Sequence, residues 1–160
     1  MIGKSVAARA FVLTQFVLFA IYALVFALMP FTVNTVTLII GAGLIALGFA
    51  VFALAVNAHA ATNANTPNIS PEPKDATELV QRGIYRNVRH PIYTAVLLCF
   101  IGASVVHGSL IVWSVALILV AFFTVKSMFE ESLLRQTYTE YAAYMQRTGR
   151  FLPLVFNLTT

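Results

Sequence analysis

Residues 10–29, AFVLTQFVLFAIYALVFALM, open a stretch of 62 residues, Ala10 to Pro71, without a single Asp, Glu, Lys or Arg. A second uncharged stretch, His90 to Val125, is 36 residues long. One charged side chain at the centre of a membrane span costs about 2.5 kcal/mol or more, so uncharged apolar runs of this length predict bilayer-spanning helices. All charges fall instead in residues 4–9, 72–89 and 126–150, which are therefore expected to be the wet parts of the molecule.

Residues 10–29 make roughly 30 Å of helix, the thickness of the hydrocarbon layer, and Pro30 ends the run. A cleaved signal peptide fits poorly, since the run after Lys4 and Arg9 is long and has no small-residue cleavage site. Residues 36–57 supply a second span. Two shorter apolar runs, 92–106 and 109–128, supply a third and a fourth, with His107-Gly108 as their turn; the third is short enough to be re-entrant instead. A closed barrel is excluded, because its strands alternate in polarity and these runs are continuous. The expected fold is an all-α integral membrane protein, one domain over 1–160, with four transmembrane helices as two hairpins and a C-terminal amphipathic helix.

Four crossings place the N-terminus, the loop 58–91 and the C-terminal tail on one face, which carries every Lys and Arg. The positive-inside bias makes that face cytoplasmic. Ten basic against six acidic residues give a net charge of +4. With the basic residues flanking spans, anionic headgroups explain this better than nucleic acid does. Cys99 has no partner for a disulfide and reads as a small buried hydrophobe. His59 and His107 stand at span ends without companion ligands, and no Cys/His cluster or serine elbow occurs, so neither a metal centre nor triad hydrolysis is expected. Gly41-Ala42-Gly43-Leu44-Ile45-Ala46 matches a dinucleotide fingerprint only formally. No strand precedes it, so Gly41 and Gly48 are better read as small residues that let helices approach closely.

Residues 129–147 show a helical stripe of Glu130, Leu134, Tyr138, Tyr141 and Met145. On that register Glu130 faces inward, and Glu131 faces water with Arg135 as an i, i+4 partner. The richest polar stretch is Leu79 to Tyr93. Read plainly, it is a basic juxtamembrane anchor with Tyr85 and Tyr93 in the aromatic belt. Read chemically, Pro91 starts a helix whose positive end points at the interface beside Arg89 and His90, a place for a carboxylate or phosphate. Glu130 lies at the same end of the next span and suits a cation. Together they suit a zwitterion.

Leu79-Val80, Gly83-x-Tyr85-Arg86, Arg89-His90-Pro91-x-Tyr93, Glu130-Glu131-x-x-Leu134 and Tyr141-x-x-Tyr144, closing on Arg150-Phe151-Leu152-Pro153, together resemble the isoprenylcysteine carboxyl methyltransferase family. That family belongs to a wider group of integral-membrane methyltransferases that includes phospholipid N-methyltransferases. The resemblance covers about residues 63–153. It departs at Thr94-Ala95, where a glycine is usual two places after the tyrosine, and at Tyr138-Thr139, where Phe-Gly is common.

The resemblance implies S-adenosylmethionine as cofactor, held on the cytoplasmic face by Thr77, Glu78, Leu79, Val80, Tyr85, His90, Pro91, Ile92, Tyr93 and Glu130. Lys126 stands where eukaryotic members carry a substrate-contacting arginine, and with Arg89 it is the expected catalytic cation. The implied partner is a lipophilic or lipid-anchored acceptor, methylated on a carboxylate, thiol or amine. Two other functions are weighed against it: a nicotinamide-dependent membrane reductase related to sterol reductases, and a non-catalytic membrane scaffold. Methyl transfer from a sulfonium requires little acid–base help, so positioning and desolvation are expected to dominate.

Overall fold

The computed structural model describes residues 2–63 and 78–154. Its helices are α1 (Ile2–Leu28), α2 (Thr35–Asn63), α3 (Pro91–His107), α4 (Leu110–Thr137) and α5 (Tyr141–Arg147), with a 3-10 turn at Gly83–Arg86 ahead of α3. The protein is an all-α membrane bundle. Three helices are long and apolar enough to cross a bilayer: Val6–Leu28 within α1, then α2 and α4. With 17 residues, α3 is shorter, roughly 26 Å long.

Local chemistry sets the helix ends. Asn34 precedes α2 and exchanges bonds with Thr37: its Oδ1 accepts from the Thr37 amide, and the Thr37 hydroxyl oxygen accepts from the Asn34 amide, both at 3.0 Å. This satisfies donors that a helix start leaves free. Pro91 opens α3 at the position where its missing N–H costs nothing. Gly108, at φ 79°, closes α3 in the left-handed region and donates its amide to the Ser104 carbonyl.

Of the two expected hairpins, the second forms, with α3 packed against α4, and the first does not. The closest pairing joins α2 to α3, while α1 packs against α4 instead of its chain neighbour α2. Small residues explain the first pairing. A methyl on Gly41 would sit 2.5 Å from the Gly102 carbonyl, and one on Gly48 would sit 2.9 Å from the Ala95 carbonyl, so these backbones touch. Aromatic residues explain the second. Phe11 meets Phe129 and Phe122 and Phe19 meets Phe123, all on α4, while Phe19 and Tyr22 also meet Phe100 of α3, Tyr22 edge-on at 4.6 Å. The Tyr22 hydroxyl also donates to the Phe100 carbonyl at 3.0 Å and lies 2.9 Å from the Ser104 hydroxyl. These contacts surround a core of Leu97, Val112, Val115, Ala116, Leu119 and Phe123.

Read in order, the contacts alternate the helix directions, so the N-terminal half of α1, the end of α2, the start of α3, the end of α4 and α5 gather at one end. Two boundaries differ from the sequence reading. The helix α2 runs on to Asn63, so residues 58–63, expected in the loop, are helical, and Asn63 caps the returning chain by bonding both the amide and the carbonyl of Glu78. The expected helix 129–147 is two pieces. Residues 129–137 continue α4, the chain turns at Tyr138-Thr139-Glu140, and α5 follows.

Candidate functional site

The polar end is built around Glu131. Its Oε1 accepts from Arg89 Nε at 2.9 Å and from Arg150 Nε at 3.3 Å, lies 3.2 Å from His90 Nε2, and its Oε2 accepts from Arg150 Nη2 at 2.9 Å. Glu131 is 3% exposed. The expected pairing with Arg135 therefore does not form; Arg135 directs its Nε to the Met145 sulfur at 3.2 Å. The reason is register. Leu119, Phe123, Ser127 and Glu131 follow one another at four-residue steps on the inward face of α4, all buried. The stripe that placed Glu130 inward borrowed Tyr138, Tyr141 and Met145 from beyond a break in the helix.

Arg89 also reaches the end of α5, donating Nη1 to the Met145 carbonyl at 3.2 Å and to the Thr148 carbonyl. It neutralises the negative end of that short helix while pairing with Glu131. Backbone bonds lash the same regions together: Gly149 donates to the Asn87 carbonyl at 3.0 Å, Arg89 to Gly149 at 2.8 Å and His90 to Arg150 at 3.0 Å. Val88 and Gly149 form a parallel bridge. Residues 148–151 thus lie across the start of α3, and the Thr94 hydroxyl donates to the Phe151 carbonyl at 2.7 Å.

Glu130 is placed differently. Its Oε2 accepts from the Tyr93 hydroxyl at 2.9 Å and lies 3.5 Å from His90 Nδ1, and its side chain is 22% exposed. Its other oxygen takes no hydrogen bond among the described residues. His90 is stacked parallel on Tyr93 with ring centroids 5.3 Å apart, so the imidazole sits between the two adjacent glutamates, one at each nitrogen. Burial, and then the Glu130 carboxylate, push the Tyr85 phenol above its ordinary range. Gly83 makes the turn that delivers it: φ is 56°, and an added methyl would sit 3.0 Å from the Ala58 side chain. The Tyr144 hydroxyl donates to the Tyr85 carbonyl at 2.6 Å and fixes the turn from behind.

Of the other residues singled out by sequence, Val80 is buried, Leu79 half-buried and Glu78 exposed, with its backbone held by Asn63; Thr77 lies outside the described residues. Pro91, Ile92 and Tyr93 form the first turn of α3, whose leading amides have no acceptor within the helix. Neither cation expected to be catalytic stands open. The Arg89 side chain is 8% exposed and occupied as described. Lys126 is wholly buried, with Nζ donating to Gln15 Oε1 of α1 at 2.5 Å and lying 5.3 Å from the centre of the Tyr93 ring. Glu130 is four residues further along α4, on the side of the helix that Lys126 faces.

Sequence reasoning turned Glu131 to water, quoted Arg150 only within the resemblance, and passed over Gln15. The last carried a readable signal, because a Gln deep in a span must find a polar partner or sit in hydrocarbon unpaired. Among the described residues, no group of His, Cys, Asp and Glu is placed to hold a metal ion.

Fold and site together define a membrane helical bundle with a buried ion-pair cluster and a half-open carboxylate at one end. Residues 36–141 match the family model for phospholipid methyltransferases, and the chain belongs to that family. Two rice proteins, from Oryza sativa subsp. indica and subsp. japonica, both described as "Probable protein-S-isoprenylcysteine O-methyltransferase", are each 33% identical to it over 84 residues. That alignment covers 51% of this chain and 44% of each relative, so the chain spans less than half the length of these curated relatives.

Proposed function

We propose that this protein is an S-adenosylmethionine-dependent methyltransferase that methylates a lipophilic acceptor at a membrane surface. The observation that carries the reading is Glu130: a partly exposed carboxylate with one oxygen unclaimed, set beside Tyr93, Tyr85 and the first turn of α3. Such a place fits a zwitterionic amino-acid moiety. The unclaimed oxygen of Glu130 takes an ammonium, and the leading amides of α3 take a carboxylate. Tyr85 and Tyr93 offer aromatic faces for a sulfonium or an adenine. When bound, the cofactor supplies an electrophilic methyl group on sulfur.

What the chain contributes is position and dryness. The Tyr93 hydroxyl and His90 hold Glu130 in one rotamer. The Glu131 cluster holds His90 and Arg89, and with them the start of α3. Lys126, enclosed by Gln15 and the Tyr93 ring, acts as a positioning residue that keeps the ring and the neighbouring carboxylate in place. In this reading α3 makes the fourth crossing, the polar end faces the cytoplasm because it carries the basic residues, and the acceptor arrives from the bilayer with its nucleophile at headgroup depth. A carboxylate, thiol or amine on an isoprenoid-like or other lipid is the acceptor class.

The test is thermal stabilisation of the detergent-purified chain, since a ligand that binds only the folded state raises the midpoint. S-adenosylhomocysteine is expected to raise it and NADPH to leave it unchanged. A shift with NADPH alone favours a nicotinamide-dependent reductase, and a shift with neither leaves a scaffold role. Lipid extracts incubated with radiolabelled methyl donor then identify the acceptor.

A further inference from the structure

Beside the 3-10 turn lies a basin of about 590 Å³ lined by Gln81, Arg86, Asn87, Tyr144 and Arg147. The Tyr85 carbonyl accepts from the Tyr144 hydroxyl, and Tyr144 lines the basin. Two guanidiniums and two carboxamides line this space, and among the described residues no carboxylate does. Arg147 is already oriented: it lies over the Tyr144 ring at 5.8 Å and donates Nη2 to Gln81. Arg86 is exposed and makes no ion pair among the described residues, because Glu131 is saturated by Arg89, Arg150 and His90. Among the described residues, the lining of the basin therefore carries two positive charges and no negative one.

We propose that this basin is a binding site for a phosphate group, separate from the Glu130 cleft. Planar guanidiniums bind phosphate oxygens two at a time, and carboxamide N–H groups from Gln81 and Asn87 complete such a shell. Lodged there, the anion bridges the loop 81–87 to α5, which otherwise meet through Arg147 and Gln81, the Tyr144 hydroxyl and the backbone bonds around Gly149. The phosphate belongs either to an anionic lipid headgroup at the interface or to a soluble phosphoanion; the chemistry of recognition is the same.

The experiment uses the detergent-purified chain and two probes. Native mass spectrometry measures retention of dioleoylphosphatidylglycerol against dioleoylphosphatidylcholine, and thermal shift measures binding of inorganic pyrophosphate. Arg86→Gln, on an exposed side chain without an ion-pair partner, is expected to weaken the binding probe about tenfold, and Arg86→Gln with Arg147→Gln to abolish it. Arg135→Gln, an equal loss of charge elsewhere on this end, is expected to change nothing. Selective retention of the anionic lipid alone identifies a headgroup site, and pyrophosphate binding alone identifies a soluble ligand. Binding of neither probe, or an equal effect of Arg135→Gln, overturns the proposal. So does displacement of the bound probe by S-adenosylhomocysteine, which would make the basin part of the cofactor cleft. The proposal does not depend on methyl transfer, so its failure leaves that reading untouched.

Discussion

Replacing Glu131 by Gln tests the architecture of the polar end most directly. The side chain keeps its volume and one acceptor oxygen but loses the charge that balances Arg89, Arg150 and His90. Arg89 has no water to turn to, since its side chain is 8% exposed and that of Glu131 is 4% exposed. Removing one partner from a buried ion pair costs about 3–5 kcal/mol, because the remaining charge is left uncompensated. Here the lower end applies: Arg150 is 29% exposed and recovers hydration, and Arg89 keeps its carbonyl partners at the end of α5. A loss of about 3 kcal/mol corresponds to a fall of about 6–12 °C in the melting midpoint of a chain of this length. The assay is a thermal melt of the detergent-purified protein without ligand, run beside Glu130→Gln. The latter keeps an acceptor for the Tyr93 hydroxyl and is expected to melt within about 2 °C of the parent. Should Glu131→Gln melt like the parent while Glu130→Gln collapses, the assignment of the two glutamates is reversed and the reasoning fails.

Four further outcomes follow from the same geometry. Glu130→Gln is expected to abolish the midpoint shift produced by S-adenosylhomocysteine, and a surviving shift removes Glu130 as the ammonium partner. Gly102→Ala places a methyl 2.7 Å from the Gly41 carbonyl and is expected to cost about 1–3 kcal/mol, whereas Gly43→Ala, with open space around it, is expected to be neutral or mildly stabilising; thermal melts of the two variants decide. Gly83→Ala forces a side chain to φ 56° against Ala58 and is expected to cost about 1–2 kcal/mol and to weaken cofactor binding through Tyr85, read by the same shift assay. Gln15→Leu leaves the Lys126 ammonium buried without its amide partner and is expected to cost about 1–3 kcal/mol, with Gln15→Asn restoring less than half, as judged by melting midpoints.

Three of the spans were legible because charge exclusion from a bilayer is a coarse and costly rule, and the small-residue contact of Gly41 and Gly48 was legible because lipid offers helices little other reason to approach. The polar stretch around Arg89 to Tyr93 could be found from its turn chemistry and the proline at the helix start. The partners within that region could not. Which of two adjacent glutamates faces inward depends on a rotation of about 100° per residue. The residues used to fix the phase lay past a helix break at Tyr138-Thr139-Glu140 that no proline or glycine announces. The pairing of α1 with α4 was equally hidden, since short loops suggest neighbours and only the matching of aromatic and small-residue faces decides them. Asn63 lengthens α2 through a bond to Glu78, a contact 15 residues apart in the chain that local composition does not reveal.

The parallel bridge between Val88 and Gly149 gives the molecule an order of assembly. The strap of residues 148–151 that closes over the start of α3 follows all of the described helices in chain order. Until Arg150 has left the ribosome, Glu131 lacks one of its two guanidiniums and the head of α3 lies uncovered. A chain interrupted a few residues short of that strap would lack the contacts that Arg150 makes to Glu131 and His90.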